Sequence, residues 1–228
     1  MRQPSAQKLA SERIRSTAAQ LFYRQGIRAV GVDELVKRAN ATKPTLYRSF
    51  ESKEELVTSY LRDFATGFWH RFDAAVDAHV GDPRAQLREL FSRSAKRTGQ
   101  PHYRGCALTN AAVEYPQQSH PAHQVAQQTK REVRRRLQGM TSALGVVEPK
   151  LLADGLTMLL EGAYVSRQIF GNGGPGGSLN RLANRLIDGW PRRELKGRPV
   201  PRNSQRPLDR ARVSRNPRSA ARKSSTGR

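Results

Sequence analysis

Between Gly26 and Glu55 the chain carries so many helix start and stop signals that only short helices joined by tight turns fit. Gly26, the usual residue for a left-handed C-cap, closes a first helix. That helix is predicted from about Gln7 to Gln25, because Ala10, Ile14, Ala18, Leu21 and Phe22 recur at i, i+4, i+8, i+11 and i+12 and form one apolar stripe. Val32, Leu35, Val36 and Ala39 repeat the pattern on a short second helix, with Asp33 and Glu34 in the first turn, where the helix dipole favours them. Asn40 tolerates the left-handed turn that most residues avoid. Thr42 is a candidate N-cap with Pro44 just inside a third helix, whose buried face is Leu46 and Phe50. Ser52 and Glu55 form a capping box that opens a fourth helix. Two short helices at a tight turn, braced by a preceding helix, are the makings of a helix-turn-helix, whose second helix enters the DNA major groove.

The rest of the chain continues with helical periodicity. Tyr60, Phe64, Phe68, Phe72 and Val76 carry the fourth helix to about Val80, before Gly81, Asp82 and Pro83 break it. A helix of roughly 29 residues would span about 44 Å. Further helices are predicted near 83–98, 105–115, 121–144, 149–170 and 178–190. On the penultimate one, Leu152, Leu156, Leu159, Leu160 and Ala163 line one face, while Met158, Val165 and Ile169 add apolar surface elsewhere. Leu179, Leu182, Ala183, Leu186, Ile187 and Trp190 form a full stripe on the last. The Gly-rich run 171–177 reads as a flexible connection, since it lacks the lysine and preceding strand of a phosphate-binding loop. No segment alternates like a strand. The expected fold class is all-α: an N-terminal three-helix helix-turn-helix domain joined by a long helix to a C-terminal helical bundle.

The 228 residues carry a formal net charge of +22, and the surplus sits at the two ends. Residues 1–53 hold a net +7 and residues 191–228 a net +11, whereas 54–190 are close to balance. Three regions follow: a DNA-binding domain over 1–53, a helical body over 54–190, and a basic tail over 191–228 too poor in large apolar residues to offset its ordering entropy. A surplus this large favours polyanionic partners, nucleic acid first and an anionic membrane surface second. The single cysteine, Cys106, rules out an internal disulfide and fits a reducing, cytoplasmic setting. Neither a secretory pattern nor an apolar run of membrane-spanning length is present, so no membrane partner is expected.

Gly26, Ala39-Asn40-Ala41-Thr42, Thr45-Leu46-Tyr47, Phe50 and Lys53 stand in an order that resembles the N-terminal domain of the TetR family of bacterial repressors. The likeness is specific over residues 8–60; beyond them only the layout is similar. Two positions differ: Gly31 replaces the threonine that commonly caps the second helix, and Asn40 replaces the common turn glycine. The resemblance implies a homodimeric, ligand-responsive transcriptional regulator of double-stranded DNA, usually a repressor. Its DNA contacts would be Thr42, Lys43, Pro44, Thr45, Tyr47, Arg48 and Lys53. It also implies dimerisation through the last two helices, with Leu152, Leu156, Leu159, Leu160, Leu179, Leu182, Leu186 and Trp190 as interface candidates. In such proteins a small-molecule inducer in the bundle shifts the two heads away from the spacing of successive major grooves, about 34–36 Å.

The candidates for an inducer pocket are Phe64, Phe68, Phe72, Phe91, Tyr103, Asn110, Glu114 and Tyr164, though aromatics at helical spacing also serve as ordinary core. The inducer's identity does not follow from the residues. Cys106, expected at a helix start after Arg104 and Gly105, is either a reactive thiol or a buried inert one. His120 and His123 have i, i+3 spacing, but Pro121 makes that stretch a helix start and no carboxylate lies beside it, so no metal is expected. No cofactor is expected either. The run Lys130, Arg131, Arg134, Arg135 and Arg136 reads as a solvated basic face. Catalytic motifs are missing, which argues against an enzyme. The alternative to a site-specific regulator is a sequence-nonspecific binder of nucleic acid or membrane surface, driven by the basic tail.

Overall fold

The structure, a computed structural model, describes residues 6–193; the expectations for the basic tail beyond Arg193 lie outside them. Helix α1 (Ala6–Gln25) buries Ile14, Ala18, Leu21 and Phe22, as its stripe predicts, and Gly26 closes it at φ +97°. Helix α2 (Val32–Arg38) opens at Gly31 with no side-chain cap. It ends in a Schellman arrangement: the Ala41 N–H donates to the Val36 carbonyl (2.9 Å), the Asn40 N–H donates to the Lys37 carbonyl (3.3 Å), and Asn40 sits left-handed at φ +47°. Helix α3 (Lys43–Ser49) follows two residues later, capped by the Thr42 hydroxyl, which accepts from the Thr45 N–H at 3.3 Å.

Helix α4 (Lys53–Asp77) is capped by Ser52, which accepts from the Glu55 N–H at 3.0 Å. The Glu55 carboxylate closes back on the N–H of Glu51, one residue before the usual capping-box partner. The helix stops at Asp77 and not near Val80, because the Ala78 and His79 N–H groups turn back to the Val76 carbonyl. Its 25 residues therefore span about 37 Å. Helix α5 (Pro83–Thr98) starts where Asp82 accepts from the N–H groups of Arg84 and Ala85, both at 3.0 Å. Helices α6 (Ala107–Glu114), α7 (Pro121–Ala143), α8 (Pro149–Phe170) and α9 (Leu179–Gly189) follow among the described residues. The Gly-rich run between α8 and α9 winds into two 3-10 turns, Gly171–Gly173 and Pro175–Ser178, packed on α8.

Helix α7 packs along α8 and α6, and α5 packs against α4 and α9. One apolar core runs from α1 to α9, and Phe22 of α1 meets Tyr60 of α4 edge-on, ring centroids 5.6 Å apart. Among the described residues there is no strand, only an isolated antiparallel bridge between Val146 and Arg192. The Val147 N–H donates to the Pro191 carbonyl, and the Arg193 N–H to that of Gly145. Residues 191–193 thus bond back to the α7–α8 connection. No helix in this span is long and apolar enough to cross a membrane.

Candidate functional site

The α3 surface divides cleanly by chemistry. Leu46 is fully buried and Phe50 nearly so, anchoring the helix on α1, whereas Thr42, Lys43, Pro44, Tyr47 and Arg48 are exposed. Thr45 and Lys53 are half-buried. The exposed polar groups already bond to one another. The Thr42 and Thr45 hydroxyls meet at 2.9 Å, and Arg48 donates to the Thr45 hydroxyl at 3.3 Å. Lys43 forms an ion pair with Asp33 of α2 at 2.6 Å, and this hydrogen bond raises the Lys43 ammonium above its ordinary pKa. Of the seven sequence-predicted contacts, the structure brings Thr42, Thr45 and Arg48 together by hydrogen bonds; Lys53 stands at the start of α4.

Two further features of that face escaped sequence reasoning. A cleft of about 390 Å³ runs between α1 and α3, bordered by Gln7, Arg13, Asn40, Thr42, Thr45 and Arg48. Arg13 is on the polar side of the α1 stripe, a signal that was present but had no direction until α3 was docked beside it. Asp33 looked like a helix-dipole residue, and its pairing with Lys43 depends on the turn between α2 and α3.

Behind the head, Phe64, Phe68, Phe72, Tyr103 and Tyr164 surround a small cavity of about 60 Å³, with Arg71, Arg97 and Cys106 also on its wall. Burial pushes the Tyr103 and Tyr164 phenols far above their ordinary pKa, so both stay neutral. Three other pocket candidates lie elsewhere. Phe91 is fully buried in the core. Asn110 donates to the Arg104 carbonyl at 2.9 Å and accepts from Gln168 at 3.1 Å, so it fastens the α5–α6 connection. The Glu114 carboxylate accepts from the Arg28 N–H at 2.8 Å and rests on Gly26, which links α6 to the turn after α1. Tyr23 makes a second link: its hydroxyl donates to the Gly105 carbonyl (3.1 Å) and accepts from the Arg104 N–H (2.9 Å).

The interface candidates divide by burial. Leu152, Leu156, Leu160 and Leu179 are buried within the chain's own core. Leu159, Leu186 and Trp190 are half-buried and Leu182 is exposed. The outward stripe of α8 is instead Leu151, Met158, Gly162, Val165 and Ile169, at i, i+7, i+11, i+14 and i+18. A Cβ on Gly162 would meet nothing within 4 Å, so this stretch is open to close approach.

The remaining candidates have structural roles. Cys106 is buried at the start of α6, with the Lys130 ammonium 3.4 Å from its sulfur. His120 caps α7 by accepting from the Ala122 N–H and stacks on Tyr115, while His123 bonds the Tyr115 carbonyl. The basic run on α7 is largely paired, Lys130 with Glu161, Arg134 with Asp154, Arg135 with Glu132, and Arg136 with Asp73 and Glu132; Arg131 is exposed.

Residues 14–60 match the family model of the bacterial regulatory proteins of the tetR family. The fold is similar to that of SCO4454, a TetR-family transcriptional regulator from Streptomyces coelicolor, with a TM-score of 0.72 at 27% identity over 79% of this chain and 93% of that one. A TetR-type regulator from Streptomyces avermitilis is 31% identical over 79% of this chain and 97% of its own, with a TM-score of 0.69. In sequence, the chain is 35% identical over 77 residues to the transcriptional repressor KstR2 of Mycobacterium tuberculosis, spanning only 38% of that protein's length. With its short helices matched over residues 14–60 and its fold matched over 79% of its length, the chain belongs to the TetR family of transcriptional regulators, proteins that bind DNA and are not enzymes.

Proposed function

We propose that this chain is a ligand-responsive repressor that binds a palindromic operator as a homodimer and leaves it when a small molecule enters the body. The observation that carries the reading is α3, whose apolar residues are buried while Thr42, Lys43, Pro44, Tyr47 and Arg48 face outward on a helix short enough to lie in a major groove. Residues 1–53 read DNA and residues 54–190 hold the ligand and the partner chain. Thr45, tied to Thr42 and Arg48, sets the side-chain arrangement of the reading face. Lys53, at the first turn of α4, adds its charge to the free N–H groups there and holds a phosphate. Lys43 exchanges Asp33 for DNA on binding.

Homodimerisation is supported by the outward apolar stripe of α8 together with Leu182 and Leu186 of α9. Repression is the outcome we assign because KstR2, a repressor, shares the stretch that carries the DNA-reading helices. The aromatic residues Phe64 and Tyr103 mark the place from which a ligand acts on the head, since α4 runs from Phe64 back to the end of α3.

Operator selection followed by footprinting with the full chain tests this reading. The expected footprint has two half-sites centred about 34–36 Å apart or a multiple of that spacing. Lys43→Ala should alter base preference at one symmetry-related pair of positions. Lys53→Ala should weaken binding evenly and lower the salt slope by about 0.9 for each phosphate it no longer neutralises. Equal losses on every sequence from both variants, with no defined footprint, would favour the nonspecific binder instead.

A further inference from the structure

Beside the small aromatic cavity lies a wider groove of about 620 Å³. Tyr23 and Arg24 of α1, Tyr60 and Phe64 of α4, Arg97 of α5 and Tyr103 of the α5–α6 connection form its walls. That volume falls within the range of organic-ligand sites. The cavity behind, at about 60 Å³, has room for a few waters at most. Phe64, Arg97 and Tyr103 border both spaces, so Arg97 stands at the passage between them. Its guanidinium carbon lies 5.9 Å from the ring centroids of both Phe64 and Tyr103.

The charges around this passage are one-sided. Asp63 is the groove's carboxylate, and Arg15 already holds it at 2.6 and 2.7 Å. On the inner side, Arg93 is bonded to Glu89 at 2.7 Å. Across the body, Arg84, Arg88, Arg134, Arg135 and Arg136 each have a carboxylate partner. Arg97 and Arg71 have none among the described residues, although both line the inner cavity. Burial, and then the charge of Arg97, hold the Arg71 guanidinium below its ordinary pKa. Two cations brought together beside aromatic walls carry a desolvation and repulsion cost, which a bound anion would offset through charge-assisted hydrogen bonds.

We propose that this groove binds an organic acid with a ring body, its carboxylate or sulfonate on Arg97 with Arg71 behind, and its rings against Tyr23, Phe64 and Tyr103. The proposal rests on the reading of the chain as a ligand-responsive regulator and supplies the chemical class of the ligand. It also supplies a route to the head. The groove's α1 wall includes Tyr23, whose hydroxyl is bonded to the backbone of Arg104 and Gly105, so a ligand seated there touches the DNA-reading unit and the body at once.

Fluorescence titration of the full chain with two probes tests the inference: 1-anilinonaphthalene-8-sulfonate, and N-phenyl-1-naphthylamine, which has the same rings without the sulfonate. Arg97→Gln should weaken the sulfonate at least about tenfold and leave the neutral probe within about twofold, as expected when one charge-assisted bond is removed. Arg97→Lys should restore part of that affinity, Arg71→Gln should cost less, and Arg131→Gln, on the exposed side of α7, should change nothing. Equal effects of Arg97→Gln on both probes, or none on the sulfonate, would overturn the ligand class. Operator footprinting on the same preparations separates the two readings. A retained footprint with failed probe arms removes the ligand class alone, whereas a missing footprint removes the regulator reading, whatever the probes do.

Discussion

Replacing Met158 by alanine is the sharpest test of the outward α8 face as the interface of the proposed dimer. Met158 is 68% exposed in the single chain. Fully burying a side chain of this size is worth about 1.5–3 kcal/mol, so covering the exposed part contributes about 1–2 kcal/mol per chain. In the proposed two-fold dimer the residue would enter the interface twice, so the substitution should cost about 2–4 kcal/mol per dimer. In dissociation constant that is roughly thirty-fold to several hundred-fold weaker. Sedimentation equilibrium from nanomolar to micromolar chain concentration reads the change directly. Leu156→Ala is the contrast, since Leu156 is fully buried in its own subunit. It should lower folding free energy by about 2–5 kcal/mol in denaturant titration and leave the association of folded chains unchanged. A Met158→Ala dissociation constant within twofold of wild type would refute the assignment, as would a Leu156→Ala shift of equal size.

Two other perturbations address the seam and the charge network. Tyr23→Phe removes both hydrogen bonds of the hydroxyl and leaves the Arg104 N–H and Gly105 carbonyl unmatched, so unfolding free energy should fall by about 1–3 kcal/mol; an unchanged denaturation midpoint would show that water replaces the bonds fully. Acidification should destabilise the body modestly and in a salt-sensitive way, because the ion pairs concerned are exposed. Arg135 and Arg136 hold the Glu132 carboxyl down at about 2, and Arg134 and Arg88 hold Asp154 and Asp188 below their ordinary values. Carboxyls depressed on folding stabilise fully above the ordinary carboxylate range and lose that contribution as pH falls towards their folded values. The melting temperature should therefore drop between about pH 5 and pH 2, and a flat profile across that window would contradict the pairing.

Element bounds were largely legible in the sequence because they are written in local chemistry. Asp82-Pro83 starts α5, Pro149 and Gly171 bracket α8, and Ser52 opens α4, each through backbone groups within a few residues. The faces of those elements were harder to read. Helix α8 is apolar nearly all round, so its Leu152–Leu156–Leu160 row and its Leu151–Met158–Val165 row look alike until α7 and α9 cover the first. The same limit separates Phe64, Phe68 and Phe72, which reach the cavity from consecutive turns of α4, from Phe91, whose direction depends on how α5 docks. Nor could spacing along α7 reveal that its cations meet Asp73 on α4 and Asp154 and Glu161 on α8.

The Tyr23 hydroxyl gives and takes at two neighbouring backbone groups, Gly105 and Arg104. A displacement that carries the ring out of reach of both groups leaves two backbone groups unmatched at once, so the joint favours the fully engaged state. Motion of the first helix against the loop should then come in steps, like a ratchet tooth leaving its notch. Small thermal strains in the body would be absorbed without moving the reading helix, and only a perturbation big enough to clear the notch would be heard at the DNA.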